Sequence, residues 1–342
     1  MWDYLKATDR PIVIYGMGNG ADKIIDTLAL YGVTPVGVFA SDDFVRGQSF
    51  RGYKVQKYGD LKQKYPNMIA LVSFGTFRDE VLSNIKRIAA ETETLAPDVP
   101  VYGSGLFTRE YAKEKRKELE KVYNLLCDDF SKKVFENTVM YRITGKIDYL
   151  FEIETTPDEA YENILKLHSD EIYCDLGAYN GDTVTEFLKF TGGSYNKIYA
   201  FEPDRKNFKK LQKEYGNKEN IFLFNCASTE KTGEIGFLSN GGRHSVVSDN
   251  GEKIKAMSLD NALESKKATY IKFDVEGMEQ SAILGAKETI LNYKPKMLVS
   301  AYHKTDDYFA LPLLVNSIRD DYKIYMRHYK YVPAWDTQFY FV

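Results

Sequence analysis

The stretch that decides the fold is IYCDLGAYNGDTVTEF, residues 172–187. It runs from apolar residues into Asp175, then through Gly177 and Gly181 into a polar segment typical of a helix start. Glycines at these positions allow a tight turn between a buried strand and a helix, whose first turn a threonine is able to cap. Such a turn predicts a site for a nucleotide-like ligand.

The acid in this turn indicates the charge of the ligand. A dinucleotide site holds a pyrophosphate at the helix N-terminus, where Asp175 would repel it, so a cationic or zwitterionic ligand fits better. The next predicted strand, in KIYAFEPD, ends in Glu202, whose carboxylate is positioned to accept both hydroxyls of a ribose. The alternative is that Glu202 only pairs with Arg205 or Lys206 on the following helix.

The third predicted strand, in FLFNCAS, closes at Asn225. At this place a side chain or backbone amide meets the edge of an adenine, although a turn asparagine is also common without a ligand. A ribose, an adenine and a positive centre together suggest S-adenosylmethionine as the cofactor.

A second group of acids follows a fourth predicted strand in FDVEGME. Carboxylates at the carboxyl end of a strand lie in the crevice where open α/β sheets bind ligands, so Asp274 and Glu276 are expected to face a substrate hydroxyl. Glu279 is interpreted differently, as a solvated acid in the first turn of the next helix.

A histidine follows the fifth predicted strand in AYHKTDD. We expect His303 to be the general base, because its ordinary pKa is near neutrality, with Asp306 or Asp307 fixing its tautomer. Asp274 and Glu276 would then orient the substrate. No spacing among these residues marks a dedicated metal site, so no metal is expected. The minority alternative is a divalent metal held by Asp274, Glu276, His303 and Asp306.

Several stretches resemble, in order and spacing, the FkbM-type S-adenosylmethionine-dependent methyltransferases. The resemblance covers residues 145–342, and it is carried by YCDLGAYNGDTVTEF, YAFEPD, FLFNCAST, SLDNAL, YIKFDVEGMEQSAILGA and VSAYHKTDDYFALPLL. It implies a class I methyltransferase with a seven-stranded sheet that methylates hydroxyls of sugars, glycans or polyketide-like natural products.

The resemblance also implies a role for each cofactor residue. Asp175, Gly177 and Gly181 would line the methionine end of S-adenosylmethionine. Glu202 would hold the ribose, and Asn225 with Ala227 would border the adenine.

Hydrophobic periodicity predicts two α/β units joined by a helix. The first hundred residues alternate strands at 11–16, 34–40 and 67–74 with helices at 20–31 and 76–90, which predicts a smaller Rossmann-like domain over residues 1–105. One long charged helix from about 107 to 135 forms a connector within 106–145, and the methyltransferase domain spans 146–342. Strands are expected in that domain near 171–176, 197–202, 221–226, 269–274 and 296–301, and aromatic strands at 322–329 and 337–342 are expected to pair antiparallel at the sheet edge.

The first domain carries a glycine turn of its own in IVIYGMGNGADKIIDTL. Gly16, Gly18 and Gly20 follow a strand and open a helix, and the next strand runs into Asp42 and Asp43. This region resembles the Rossmann-like unit of bacterial sugar acyltransferases, which implies a nucleotide-sugar site. A purely structural domain is the alternative.

Composition limits the partners. The net charge of −3 disfavours nucleic acid, no stretch is long and apolar enough to span a bilayer, and Cys127, Cys174 and Cys226 lack paired spacing. We therefore expect a cytoplasmic protein with a small-molecule or glycan acceptor, and a homo-oligomer is one option for its assembly. Arg243 and His244, in the glycine-bounded loop 239–251, are candidates to contact an anionic group of that acceptor.

Two other functions compete with methylation. One is a non-catalytic module that binds nucleotide sugars or glycans on a methyltransferase scaffold. The weaker one is a nicotinamide-dependent oxidoreductase that uses the N-terminal glycines.

Overall fold

The computed structural model describes residues 1–238, 246–247, 251–264 and 266–342. Arg243 and His244, with most of the predicted loop 239–251, lie outside the described residues. Within these ranges, no helix combines the length and the apolar character needed to cross a bilayer.

Residues 1–105, the N-terminal unit, contain one sheet, and all of them are described. Its strands are β1 (Ile12–Tyr15), β2 (Gly37–Ala40), β3 (Ser49–Phe50), β4 (Tyr53–Lys57), β5 (Ile69–Val72) and β6 (Glu93–Leu95). Its helices are α1 (Trp2–Ala7), α2 (Asn19–Leu30), α3 (Tyr58–Lys64) and α4 (Asp79–Glu91), with a 3₁₀ turn at Asp42–Phe44.

The strand order of this sheet is β3-β4-β2-β1-β5-β6, and every pair is parallel except β3 with β4. Strands β1, β2 and β5 are buried along their full length, which explains their continuous apolar sequences. The predicted strands and helices of this unit are confirmed.

The connector is not the single long helix that the sequence pattern predicts. It consists of α5 (Arg109–Glu114), α6 (Arg116–Leu125), α7 (Asp129–Thr144) and α8 (Asp148–Phe151). The chain becomes extended at Leu126, the amide of Cys127 donates to the carbonyl of Ile324, and Asp128 caps α7 by accepting from the Ser131 amide at 2.6 Å. The prediction of one helix is wrong because this cap and this contact with a neighbouring strand compete with helix continuation.

Residues 146–342, the C-terminal unit, contain the larger sheet. Strands of this unit are β7 (Glu154–Thr155), β8 (Ile172–Leu176), β9 (Lys197–Phe201), β10 (Ile221–Phe224), β11 (Ala227–Ser228), β12 (Gly233–Leu238), β13 (Val246–Val247), β14 (Glu252–Met257), β15 (Tyr270–Phe273), β16 (Lys296–Ser300), β17 (Ile324–Tyr329) and β18 (Thr337–Phe341). Helices of this unit after α8 are α9 (Pro157–Glu159), which continues into a π-helical turn at Ala160–Leu165, α10 (Asp182–Phe190), α11 (Arg205–Tyr215), α12 (Leu259–Leu263), α13 (Glu279–Leu284), α14 (Lys287–Tyr293) and α15 (Asp307–Ile318).

Among the described residues, the larger sheet has eight strands in the order β10-β9-β8-β15-β16-β18-β17-β7. The antiparallel pairing of β17 with β18 is confirmed. The predicted position of that pair at the edge is wrong, because β7 pairs parallel with β17 and forms the edge itself. A strand of two residues is too short to show a periodic pattern, so β7 was not predictable from the sequence.

A second, smaller sheet was also missed. It joins β11, β14, β12 and β13, with β12 and β14 antiparallel. The segment EKIKAM in β14 alternates polar and apolar residues, and this signal of a half-buried strand was present in the sequence.

The two units are fixed to each other by a buried ion pair and by backbone contacts. Arg142 is 4% exposed at its side chain, and its Nε donates to Asp98 Oδ2 at 2.7 Å while Nη1 donates to the Thr305 carbonyl at 3.1 Å. The guanidinium also lies over the rings of Phe107 and Tyr308. One side chain of the connector therefore binds both units.

We predict that Arg142→Ala lowers the free energy of unfolding by about 3–5 kcal/mol, because it leaves the largely buried Asp98 carboxylate without its partner. The matched control is Arg116→Ala, which breaks an exposed ion pair with Glu120 and is expected to leave the free energy of unfolding nearly unchanged. Denaturant unfolding of both variants measures the difference. Equal losses in the two variants would show that Arg142 does not join the units.

Candidate functional site

A cleft of about 1060 Å³ lies at the carboxyl ends of β8, β9, β15 and β16, where parallel α/β sheets bind ligands. Glu202 and Asp274 line it from the C-terminal unit. Asn19, Phe74 and Phe77 line it from the N-terminal unit. The glycine turns of both units therefore belong to one cleft, whereas the sequence suggested two separate sites.

Asp175 lies beneath this cleft rather than on its surface. The residue is fully buried, its Oδ2 accepts a hydrogen bond from Thr183 Oγ1, and its Oδ1 is 3.8 Å from Lys272 Nζ. Burial raises the pKa of Asp175, and the charge of Lys272 opposes this shift. Thr183 and Lys272 both line the cleft, so Asp175 influences it through them.

The glycines of the first turn are required by contacts within the protein. Gly177 lines the cleft with φ +99°, and a Cβ there would lie 1.9 Å from the carbonyl oxygen of Asp274. Gly181 begins α10, and a Cβ there would lie 2.6 Å from the ring of Tyr215. The close approach at Gly177 brings the end of β15, with its acids, against the turn that follows β8.

Glu202 places its carboxylate in the cleft at the end of β9. Its Oε2 accepts from the Tyr179 amide at 2.9 Å and its Oε1 from the Asp204 amide at 2.8 Å. Burial raises the pKa of Glu202 to about 8, despite the two amide donors that favour the charged form. Arg205 forms an ion pair with Glu252 instead.

The adenine residues predicted by the resemblance divide into two roles. Asn225 Nδ2 donates to the carbonyls of Glu202 and Pro203 at 2.8 and 3.2 Å, so its side chain braces the segment that carries Glu202. Ala227 and Ser228 line the cleft.

The acids after β15 meet His303, which follows β16. His303 Nε2 lies 3.7 Å from Asp274 Oδ1 and 3.6 Å from Glu276 Oε2, and all three residues line the cleft. Lys272 Nζ donates to Asp274 Oδ2 at 3.2 Å, and the Tyr302 hydroxyl donates to Asp274 Oδ1 at 3.1 Å. The fold thus brings together the three residues that we predicted as catalytic.

The prediction that Glu279 is solvated is wrong. Glu279 is 1% exposed, and its Oε1 accepts from the amides of Val275 and Gly277 and lies 2.9 Å from His303 Nδ1. It occupies the position that we expected for Asp306 or Asp307. The spacing of Glu279 from Glu276 was visible in the sequence, but its burial depends on packing of α13 against α15.

The pKa of His303 is higher than that of an ordinary histidine. Burial opposes its charged form, but Glu279, Glu276 and Asp274 together raise the pKa of His303 to about 10. Burial likewise opposes the charged form of Asp274, whose pKa is nevertheless lowered by Lys272 and His303. At neutral pH the cluster therefore holds an imidazolium among carboxylates.

The same side chains are suitable donors for a divalent metal. Ligand atoms of Asp274, Glu279 and His303 lie within 4.8 Å of one another. Glu279 Oε2 is buried without a hydrogen-bond partner, so its lone pairs are available to a metal. A protonated His303 also offsets part of the negative charge of these carboxylates. The geometry therefore suits either a bound divalent metal or a protonated histidine without a metal.

The N-terminal wall of the cleft is the turn that opens α2. Gly16 and Gly18 have φ of +114° and +104°, and a Cβ on Gly20 would lie 2.1 Å from the Ser73 carbonyl oxygen. Gly20 lines the cleft, as does Lys23, whose Nζ donates to the carbonyls of Pro100 and Val101. Asp42, predicted as part of this site, lies exposed in the 3₁₀ turn and does not line the cleft.

Comparison with known proteins gives a family match within the C-terminal unit. Residues 175–332 match the family model of the methyltransferase FkbM domain. No curated protein matches the chain. The methyltransferase FkbM from Methylobacillus flagellatus has a similar fold, with a TM-score of 0.75, 21% identity, and coverage of 100% of this chain and 92% of that chain.

Weaker similarities involve other methyltransferases. Fibrillarin from Aeropyrum pernix, solved with natively bound S-adenosyl-L-methionine, has a TM-score of 0.34 and 14% identity, over 54% of this chain and 71% of that chain. An rRNA methylase from Streptococcus thermophilus has a TM-score of 0.35 and 15% identity, over 55% of this chain and 95% of that chain. Neither similarity is strong enough to support an inference about this chain.

Proposed function

Because the chain carries a methyltransferase FkbM domain, we propose that it is an S-adenosylmethionine-dependent O-methyltransferase acting on a hydroxyl of a sugar, glycan or nucleotide-sugar-linked acceptor. One observation carries this proposal. The Glu202 carboxylate and the cluster of Asp274, Glu276 and His303 open into a single cleft that both units line. A site for a ribose and a site for a reacting hydroxyl are therefore within reach of one another.

The residues at β8 and β9 fit the cofactor. Each Glu202 oxygen accepts one backbone amide and keeps a second lone pair for a ribose hydroxyl. The backbone from Gly177 to Tyr179 would border the methionine part, and Ala227 the adenine. When bound, S-adenosylmethionine supplies a methyl group on a positively charged sulfur.

The cluster beside it is suited to an acceptor hydroxyl. Asp274 and Glu276 accept hydrogen bonds from neighbouring hydroxyls of the acceptor and so orient the reacting oxygen for attack on the methyl carbon. An alkyl hydroxyl is weakly acidic, so its proton leaves as the new carbon–oxygen bond forms. We assign His303 Nε2 as the acceptor of that proton, with Glu279 holding the ring through Nδ1.

This assignment requires His303 to be neutral when the reaction occurs. Without further positive charge, the surrounding carboxylates keep His303 protonated. A cationic ligand in the cleft lowers the pKa of a neighbouring histidine. Loading of the cleft would therefore release the proton and prepare the base.

The turn from Gly16 to Gly20 supplies the remaining part of the proposal. Asn19 and Gly20, at the start of α2, line the cleft, and such a helix start favours a phosphate. We infer a nucleotide-sugar contact there, with a purely structural role as the alternative. Asp42 is not part of this proposed contact, because it does not line the cleft.

We predict that affinity for S-adenosylhomocysteine depends on pH through Glu202. A ribose hydroxyl binds the ionised carboxylate, and Glu202 is mostly protonated below its pKa of about 8. Affinity should therefore rise with pH up to about 8, by at most about tenfold per unit, and then level off. Calorimetric titration of the folded protein between pH 6 and 9 measures this.

Two variants test the cause of that dependence. Glu202→Gln should flatten the pH profile and weaken binding by about tenfold or more above pH 8, because a charge-assisted hydrogen bond is lost. Glu171→Gln is the control, since Glu171 is equally buried but pairs with Lys296 near the start of β8. Unchanged affinity and an unchanged pH profile in a folded Glu202→Gln protein would remove Glu202 from the site.

We also predict methyl transfer to a sugar hydroxyl. Tritium transfer from labelled S-adenosylmethionine should occur with at least one member of a panel of nucleotide sugars and glycans, and not with a short RNA. His303→Ala should lower turnover by about a hundredfold or more at saturating cofactor. If sugars bind and no methyl is transferred, the non-catalytic binding module becomes the better account. If Asp274→Asn abolishes turnover and His303→Ala lowers it less than tenfold, the carboxylate is the base.

A further inference from the structure

Three aromatic rings form a row at the cleft where the two units meet. Phe77 comes from the N-terminal unit, and Tyr331 and Trp335 come from the loop between β17 and β18. The ring centroids of Phe77 and Tyr331 are 6.0 Å apart, as are those of Tyr331 and Trp335. All three line the cleft, and Phe77 is 56% exposed.

The position of this row is fixed by the backbone around it. Thr76 and Val332 exchange backbone hydrogen bonds of 2.8 and 3.0 Å, which joins the two loops. Gly75 packs so closely that a Cβ there would lie 2.4 Å from the Trp335 ring and 2.8 Å from the Tyr331 ring. Exposed apolar rings normally cost solubility, so rings held open to a cleft in this way indicate a ligand surface.

Polar groups lie beside the row, in the direction of the reacting cluster. Gln338 Nε2 donates to Asp336 Oδ1 at 2.8 Å, and both residues line the cleft. Gln338 is paired with Ser300 at the end of β16, three residues before His303. Asp336 has a left-handed backbone with φ +66°, a conformation that aspartate tolerates in turns.

The pKa of Asp336 also indicates that this residue lies near the reacting cluster. Burial raises the pKa of Asp336 to about 6, and the nearby carboxylate of Asp274 contributes to this shift. Asp336, which follows Trp335 directly in the chain, is therefore close enough to Asp274 for their charges to interact, and both residues line the cleft.

The combination of surfaces selects a class of ligand. The C–H face of a pyranose ring packs against aromatic rings, and its hydroxyls need hydrogen-bond partners at the ring edge. A carboxylate and a primary amide provide acceptors and donors for such hydroxyls. A purely apolar ligand would offer no partner to the hydrogen-bonding capacity that these two side chains keep beyond their mutual hydrogen bond.

We propose that Phe77, Tyr331 and Trp335 form a pyranose-binding subsite whose edge is read by Asp336 and Gln338. The ring bound there presents a hydroxyl to the cluster around His303. The role of this sugar as a methyl acceptor rests on the proposed function, whereas the binding itself does not. The N-terminal unit then contributes directly to acceptor specificity through Phe77.

Tryptophan fluorescence tests the binding without any need for turnover. The chain has two tryptophans, and Trp2 is 4% exposed, so Trp2→Phe leaves Trp335 as the single reporter. The probes are methyl pyranosides, UDP-glucose, GDP-mannose, and the matching nucleotides UMP and GMP without sugar. We expect saturable changes in Trp335 emission with at least one pyranoside or nucleotide sugar, and smaller or no changes with UMP and GMP.

A pair of phenylalanine variants tests the aromatic row. Phe77→Ala should weaken binding of the responding sugar about three- to tenfold and leave S-adenosylhomocysteine affinity within about twofold. Phe44→Ala is the matched control, because Phe44 is 57% exposed on the same unit and does not line the cleft. Trp335→Phe keeps a ring in place and should retain most of the sugar affinity, as measured by calorimetry.

The outcomes separate this proposal from the proposed reaction. Sugar binding without methyl transfer would preserve the subsite and overturn the reaction. The subsite is overturned if methyl transfer to sugars occurs and Phe77→Ala changes it no more than Phe44→Ala does. If UMP or GMP gives a response equal to that of the nucleotide sugars, the aromatic row binds a nucleobase and the subsite is also overturned. The absence of a response to every probe in the millimolar range would overturn it as well.

Discussion

The cleft depends on two backbone contacts between the units. Thr76 pairs with Val332, and the amide of Tyr102 donates to the carbonyl of His303 at 2.9 Å. The second contact involves the site itself, because the segment that leaves the N-terminal unit forms a hydrogen bond with the residue assigned as the base. Residues of both units thereby line one cleft. A change in the packing of the units is also a change in the geometry of the site.

The electrostatics of the cleft follow from this enclosure. Asp175, Asp274, Glu276 and Glu279 outnumber the positive groups near them, which are Lys272 and a protonated His303. Buried charges are costly without partners, so the site favours a ligand that brings positive charge. That preference agrees with the expectation, first drawn from the acid in the glycine turn, of a cationic cofactor. The same carboxylates raise the pKa of His303.

Local sequence signals predicted the strands and their end residues well. The runs that became β8, β9 and β15 were identifiable because buried parallel strands are continuously apolar, and Glu202, Asp274 and His303 followed from their positions after strands. The sequence did not predict features that depend on tertiary packing. The break in the connector, the burial of Glu279, the bracing role of Asn225 and the shared cleft all arise from contacts between segments distant along the chain.

The central claim is that methyl donor and acceptor meet in the cleft between the two units. A crystal structure of the full chain with S-adenosylhomocysteine tests it most directly. The account predicts that Glu202 accepts hydrogen bonds from the ribose and that the ligand sulfur faces Asp274 and His303, open to the aromatic row at Phe77. A ribose bound away from Glu202, or a sulfur separated from the His303 cluster by protein, would contradict the account.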